Sequence, residues 1–464
     1  ITDSRGVCPF GWYVPTNKEW TALTTYLGGT SVAGGKLKET GTVHWASPNV
    51  GATNETGFTA IPGGLRTWDG YFMTFARWWS STEAWSDVAY GRTMNSTNDD
   101  VYSNNLDEKQ GVSVRCLSGI DSSLIETESN INDTLLLCYS MLHEYIEFSY
   151  LFDAVYANNV TAPNSSWNDI YNHSQSSTNL KVLKLWSDAF EIIYKANLVI
   201  KSAEQVISDP LTRNQIIAQA KGIRAYLNYT LLTWFGEIPL EDGFSDSLSP
   251  RNTVEEVLAW IKNDAQKAAQ SLPVSWPALE KFRIPQGFAT GLLSRASLYS
   301  KNWTEAVISA QQIMNTGVYT LSVGADLENF LSTNTEIFWG FEKSDNTEFN
   351  GFFTKGSYVP AIRYTESYLV SAEGLFNSGN IESAVTYTNT LKVRRGIPPE
   401  VSLTSDEIFQ FWNTELAKEG SMFITLKRFD KALSIVQGNQ FKLVLPVPIT
   451  IINSNPNMLQ NPGY

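Results

Sequence analysis

Residues 183–207 read LKLWSDAFEIIYKANLVIKSAEQVI, and this stretch decides the main part of the fold. Leu185, Trp186, Phe190, Ile193, Ala196, Asn197, Ile200 and Ala203 recur at helical spacing, which predicts one long amphipathic helix. The same period continues downstream. Residues 213–235 form a second candidate helix that stops at Gly236, with Pro239 just beyond. Further helices are predicted over 252–272, 285–300, 304–315, 363–376 and 381–394, and upstream over 132–150.

Small residues give the series a recurrent signature. Ala289, Ala296, Ala306 and Ala310 flank a tight turn near Asn302, and Ala372 and Ala384 flank Gly379. Such spacing lets paired helices pack closely, as in degenerate tetratricopeptide-type repeats. Three insertions interrupt the repeats. They are an irregular stretch over 157–179, another over 274–284, and a Gly-, Asn-, Thr- and Phe-rich one over 321–359 with a strand at 337–341.

Working outward, the composition changes near residue 120. Residues 1–119 are rich in Gly, Trp, Ser, Thr and Asn. Turn signals recur at Gly28-Gly29, Gly34-Gly35, Gly63-Gly64 and Asp69-Gly70. Short strands, loops and one early helix over 17–27, capped by Thr16 or Asn17, are expected there. The chain therefore divides into an α+β segment, 1–119, and a mostly α segment, 120–464. Cys8 and Cys116 stand at the two ends of the first. A disulfide would close it into a unit, and two unpaired buried thiols are the alternative.

The whole chain has 464 residues, 42% apolar and 17% charged, with a net charge of −13. That acidity, without a dense Lys/Arg run, excludes nucleic acid as a partner. No apolar stretch reaches the roughly 18 residues of a membrane span. Three Cys and three scattered His leave no conventional zinc site, and no metal or cofactor is expected. Residue 1 is Ile, so processing removed an upstream segment or the numbering omits it.

Catalytic motifs are missing as well. No Walker A, nucleophile elbow or dinucleotide fingerprint occurs. Glu415 and Glu419, four apart, are expected on one helix face, as a salt-bridged or solvated pair. They do not oppose each other across a sugar, as glycoside hydrolysis requires. His143 lies beside Glu144 and Glu147 without a second ligand at metal spacing. The chain is read as a binding protein, not an enzyme.

The better lead is the aromatic load: 15 Trp, 20 Tyr and 23 Phe. Trp167 and Tyr171 fall in a polar loop with Asn168, Asp169 and His173. A flat ring beside amides and carboxylates suits a sugar, whose C–H face stacks while its hydroxyls are held. Trp276, Phe349, Phe352 and Phe353 add loop aromatics. The expected ligand-binding set is Trp167, Asn168, Tyr171, Trp276, Phe349 and Phe352. Trp186, Trp234 and Trp412 sit on helical faces and are assigned to the core.

Several stretches in order carry a resemblance. Leu185-Trp186-Ser187 runs into Ile193-Tyr194-Lys195-Ala196-Asn197. Ala220-Lys221-Gly222-Ile223-Arg224-Ala225-Tyr226 leads to Phe235-Gly236-Glu237-Ile238-Pro239-Leu240. Ile362-Arg363-Tyr364-Thr365-Glu366, Ser371-Ala372-Glu373 and Leu426-Lys427-Arg428-Phe429 follow, and the chain closes on Asn455-Pro456-Asn457 and Gln460-Asn461-Pro462-Gly463-Tyr464. Over about 340 residues this resembles the SusD/RagB family of surface nutrient-binding lipoproteins of Bacteroidetes. Ser421, Met422 and Thr425 depart from the family pattern, in a segment that is mainly structural there.

Residues 1–119 resemble another module, the Fibrobacter succinogenes major paralogous domain, whose fold is C-type-lectin-like. The matching pieces are Cys8-Pro9-Phe10-Gly11-Trp12-Tyr13-Val14-Pro15, Gly57-Phe58-Thr59-Ala60-Ile61-Pro62-Gly63-Gly64, Trp78-Trp79-Ser80-Ser81-Thr82-Glu83 and Val112-Ser113-Val114-Arg115-Cys116. The usual first portion is missing before Cys8, so the module is truncated or begins upstream of residue 1.

The resemblances imply a lipid-anchored protein on the extracellular face of the outer membrane. It would capture oligosaccharides and cover a SusC-like TonB-dependent transporter as its lid, with other surface lipoproteins as further partners. A peptide-binding member of the same family and an adhesin or assembly subunit are the alternatives.

Overall fold

The Thr16 hydroxyl accepts from the Glu19 backbone N–H, while the Glu19 carboxylate accepts from Thr16 N at 2.7 Å. This reciprocal cap starts α1 (Asn17–Tyr26). The computed structural model describes residues 7–8, 12–67, 69–70, 72–73, 75–118, 127–240, 249–327, 329–344, 352–353 and 356–464. The chain forms two compact units, Ile1–Asp121 and Ser122–Tyr464. The junction expected at 119–120 lies outside the described residues.

The first unit also holds α2 (Ala33–Leu37) and short strands, of which the first precedes α1 and the rest follow α2. These are β1 (Trp12–Tyr13), β2 (Leu65–Arg66), β3 (Phe72–Met73), β4 (Ala76–Trp85), β5 (Val88–Met94), β6 (Tyr102–Asp107), β7 (Gly111–Val112) and β8 (Leu117–Ser118). The order β4-β5-β6 makes an antiparallel meander, β3-β2-β7 a second sheet, and β1 pairs with β8. Trp20, Trp45, Trp78, Leu37 and Met94 fill the core. The indole N–H groups of Trp20 and Trp45 donate to Trp79 O and Ala60 O, so burial leaves neither unsatisfied. Cys8 and Cys116 are joined by a disulfide, and Cys8 packs on a smaller apolar cluster around Trp79 and Leu106.

The Gly34-Gly35 pair reads as a turn but lies inside α2. A Cβ on Gly34 would stand 2.5 Å from Asp100 O, and one on Gly35 2.5 Å from Gly51 O. The glycines serve close backbone approach. Just beyond, the buried Lys38 ammonium donates to Val50 O, Asn95 O and Asn98 O at 2.7, 3.1 and 2.8 Å. Burial lowers its pKa, and the negative charge of Asp99 opposes that shift.

The second unit is an array of helices: α3 (Glu128–Tyr156), α4 (Asn168–Tyr171), α5 (Leu180–Val206), α6 (Pro210–Phe235), α7 (Val254–Ser271), α8 (Gln286–Tyr299), α9 (Trp303–Asn315), α10 (Tyr364–Asn377), α11 (Ile381–Arg394), α12 (Ser405–Glu415), α13 (Met422–Arg428), α14 (Ala432–Ile435) and α15 (Ile449–Ser454). From α5 to α11 each helix packs on the next in sequence, the signature of a repeat array. Asn302 caps α9, and Gly379 at φ 84° makes the turn between α10 and α11. Ala306, Ala310, Ala384, Leu369 and Leu391 are fully buried between them. Between α9 and α10 run two antiparallel strands, β9 (Ile337–Glu342) and β10 (Tyr358–Arg363). β10 was not expected from the sequence, because Pro360 breaks its strand pattern.

Several ionic groups inside this unit are paired. Arg224 meets Asp264 with two nitrogens, at 2.7 and 2.9 Å, and Asn197 with a third. Arg428 meets Glu373 twice at 3.0 Å. Arg295 chelates Glu366. Most of these residues stand in the stretches that carried the family resemblance, so those stretches are structural ties.

The closing segment is another tie. Gln460 bonds Val447 through both backbone groups, at 2.7 and 2.8 Å, and Asn461 Nδ2 donates to Phe235 O and Leu445 O. Asn461 thereby satisfies a carbonyl left open at the end of α6.

Candidate functional site

A cavity of about 120 Å³ opens beside β10. Its lining comes from four places in the chain: Tyr150 on α3, Phe330, Phe352 and Phe353 in the insertion, Tyr358 to Pro360 on β10, and Ala417 to Glu419 after α12.

Each wall has a local cause. Gly356, at φ 75°, bridges to Phe330, and Phe330 O accepts from Ser357 N and Tyr358 N at 3.1 Å. The Tyr150 hydroxyl donates to Pro360 O and Ala361 O at 3.1 and 3.2 Å, fixing α3 against β10. Burial raises the Tyr150 phenol well above its usual range and pushes Tyr358 up to about 12. Both therefore remain protonated donors at neutral pH. Phe352 and Phe353 meet edge to face with centroids 4.7 Å apart. The Lys418 ammonium stands 5.4 Å from the Phe352 ring centre and donates to Phe352 O at 3.3 Å.

Glu415 and Glu419 do not share a helix face. α12 ends at Glu415, and Lys418 at φ 64° and Gly420 at φ 68° turn the chain. A Cβ on Gly420 would stand 2.1 Å from the Tyr150 ring, so the turn can close on α3 only through glycine. Both carboxylates enter a buried network. Arg363 bonds Glu336, Glu419 and Glu415 O; Arg394 bonds Glu336 and Glu415; Arg395 bonds Glu415 at 2.7 Å. Among the described residues, three arginines and three glutamates meet there. Burial alone would raise Glu336 and Glu415, yet the guanidinium groups hold both below the usual carboxylate range.

Of the residues expected to bind ligand, Phe352 lines this cavity. Trp167 is not an exposed loop ring. It is fully buried, 5.7 Å from Phe148 and 6.3 Å from Phe152, with the Lys181 ammonium 4.1 Å from its ring centre. The short 3-10 turn Ser165–Trp167 tucks it under α4, because its apolar area is served better by the core. Asn168 is exposed and Tyr171 half-buried, both on α4. Trp276 is half-buried in its own loop, its N–H spent on Ile284 O at 2.9 Å. Phe349 lies outside the described residues. Trp186, Trp234 and Trp412 are buried. The sequence reading missed Tyr150, taken for an ordinary helix position, and Lys418. The signal for Lys418 was the Lys418-Glu419-Gly420 turn.

A second recess of about 510 Å³ lies along α7, α8 and α9. It presents Gln266, Gln270, Gln286 and Gln312, and the Lys262–Glu305 pair (2.7 Å) neutralises the carboxylate in its wall. Its ring, Tyr319, is covered by Phe338 with centroids 4.4 Å apart, so the recess offers hydrogen bonds without a stacking face.

Comparison with known proteins agrees with this architecture. Residues 1–118 match the Fibrobacter succinogenes major domain. Residues 106–298 match a family described as starch-binding, associating with the outer membrane, and residues 295–441 match the SusD family. A SusD-like protein of Formosa agariphila is 22% identical over 253 residues, half of this chain and 47% of that one. The starch-binding protein SusD of Bacteroides thetaiotaomicron is 27% identical over 140 residues, 27% of this chain and 25% of that one. The matches thus span less than half the length of these curated relatives. Among solved structures, a laminarin-binding SusD-like protein superimposes with a TM-score of 0.64 at 18% identity, covering 73% of this chain and all of that one. Through residues 106–441 the chain belongs to the SusD family.

Proposed function

We propose that this chain captures a glycan at the outer surface of the outer membrane and passes it to a SusC-like TonB-dependent transporter, over which it sits as a lid. The observation that carries the reading is the cavity beside Phe352, where aromatic rings and protonated phenols converge. Rings stack on the C–H faces of sugars, and phenols and backbone groups hold hydroxyls. The names of the relatives support the ligand class: one binds starch and another laminarin. Attachment through an upstream lipid is part of this proposal; among the described residues no helix is long and apolar enough to cross a membrane.

Affinity electrophoresis of the full chain through gels containing soluble glycans tests the reading. Retardation by one glycan, reduced about tenfold in affinity by Phe352→Ala, supports it. Migration unchanged by every glycan would overturn it. A peptide ligand is the second reading, favoured by the neutral, amide-lined recess along α7 to α9, since glutamine side chains both donate to and accept from a polypeptide backbone.

A further inference from the structure

We propose that the aromatic cavity selects a sugar bearing an anionic substituent, carboxylate or sulfate, and that Lys418 is the residue that reads the charge. This rests on the glycan reading above and names its substrate class.

The argument starts from pairing. Arg224 and Arg363 are buried in this unit, Arg295, Arg394 and Arg428 are largely so, and each has a carboxylate partner. Lys418 differs. Among the described residues it forms no ion pair, and its ammonium is directed at Phe352, with the carbonyl at 3.3 Å and the ring centre at 5.4 Å. The neighbouring carboxylate, Glu419, is bound by Arg363 at 2.8 Å, inside a network that among the described residues holds three arginines and three glutamates. Among the described residues, the cavity therefore carries one positive charge without a carboxylate partner, against a wall of rings, in a chain whose net charge is −13.

Position and size agree. Lys418 adopts φ 64°, a backbone conformation that glycine or asparagine would take more easily. At about 120 Å³ the cavity is well below the roughly 300 Å³ of a site that encloses a whole ligand. It suits one end group or pendant group of an oligomer whose remainder lies outside. A carboxylate or sulfate there gains a charge-assisted hydrogen bond from the ammonium, in surroundings drier than bulk water.

Isothermal titration of the full chain tests this, with maltohexaose and laminarihexaose as neutral probes, tetragalacturonate as the carboxylate probe and a carrageenan tetrasaccharide as the sulfate probe. At least one acidic probe is expected to bind about tenfold more tightly than the neutral ones, and the better acidic probe tells carboxylate from sulfate. Lys418→Met is expected to remove that advantage, bringing the acidic probes down to the affinity of the neutral ones, and Lys418→Arg to keep part of it. Far-ultraviolet circular dichroism of each variant confirms folding. If neutral probes bind through Phe352 without an acidic advantage, or if Lys418→Met leaves acidic binding intact, the charge assignment falls and the glycan reading stands. If no probe binds, both fall.

Discussion

Arg363 Nε lies 2.8 Å from Glu419 Oε2, joining the last residue of β10 to the turn that carries Lys418. One wall of the cavity is thus held to another through a buried charge pair. Arg363 is also the hub for Glu336 and the Glu415 carbonyl. Replacing one partner of such a network leaves the others charged and unpaired, which costs more than the pair itself contributes. Arg363→Met is expected to destabilise the helical unit by about 3–5 kcal/mol. Urea unfolding followed by tryptophan fluorescence measures it, and a loss below about 1 kcal/mol would show that water reaches the network.

Lys38 plays a comparable part in the first unit, with backbone carbonyls in place of carboxylates. Its ammonium satisfies Val50 O, Asn95 O and Asn98 O together. Lys38→Met keeps most of the stem and removes the three donors. The expected loss is about 3 kcal/mol or more, confined to the unit of residues 1–121. Hydrogen exchange resolved by peptide should show faster exchange there and unchanged rates in the helices. A uniform change across the chain would contradict this assignment.

Trp167 separates core from ligand contact. Truncation to alanine should cost about 3–5 kcal/mol of stability. The glycan affinity of the folded protein should stay within about twofold. A large affinity loss with unchanged melting temperature would return Trp167 to the binding surface.

Asp153 sets a pH dependence. Its carboxylate accepts from Met422 N and Phe423 N, both at 2.9 Å, at the start of α13. Burial pushes its pKa up to about 6, against the two N–H groups and Lys427, which pull it down. The folded state therefore holds this proton more tightly than the unfolded chain. Its stabilising contribution is complete below about pH 4 and is lost as pH rises through about 6. Asp153→Asn should flatten the pH dependence of unfolding between pH 4 and 7. An unchanged profile would place the titration elsewhere.

Helix periods were legible in the sequence because the repeats bury one face each, and Leu185, Phe190 and Ile193 record that face directly. The turn at Asn302 and the stop at Gly236 were legible for the same local reason. Other features depended on distant partners. Gly34 and Gly35 looked like a turn, since nothing nearby announces that the Asp99–Asp100 backbone crosses the first and the Gly51 backbone the second. Glu415 and Glu419 suggested one helix face, because their spacing does not reveal the left-handed residue between them. In the site, Phe352 was legible as a loop aromatic, but Trp167 shared the same signal and is core. Aromatic residues in polar loops mark burial and binding alike, and Lys418 acquires meaning only once Phe352 is folded against it.

The tie made by Asn461 has a consequence for how the protein is born. Its amide completes the end of α6, which lies more than two hundred residues earlier in the chain, and also holds Leu445. A ribosome that has not yet released residue 461 therefore carries a repeat array lacking its final clasp. Vectorial folding cannot finish this unit from the N-terminal side. The hydrogen bonds that tie the end of α6 to Leu445 through one amide can form only after residue 461 has left the ribosome.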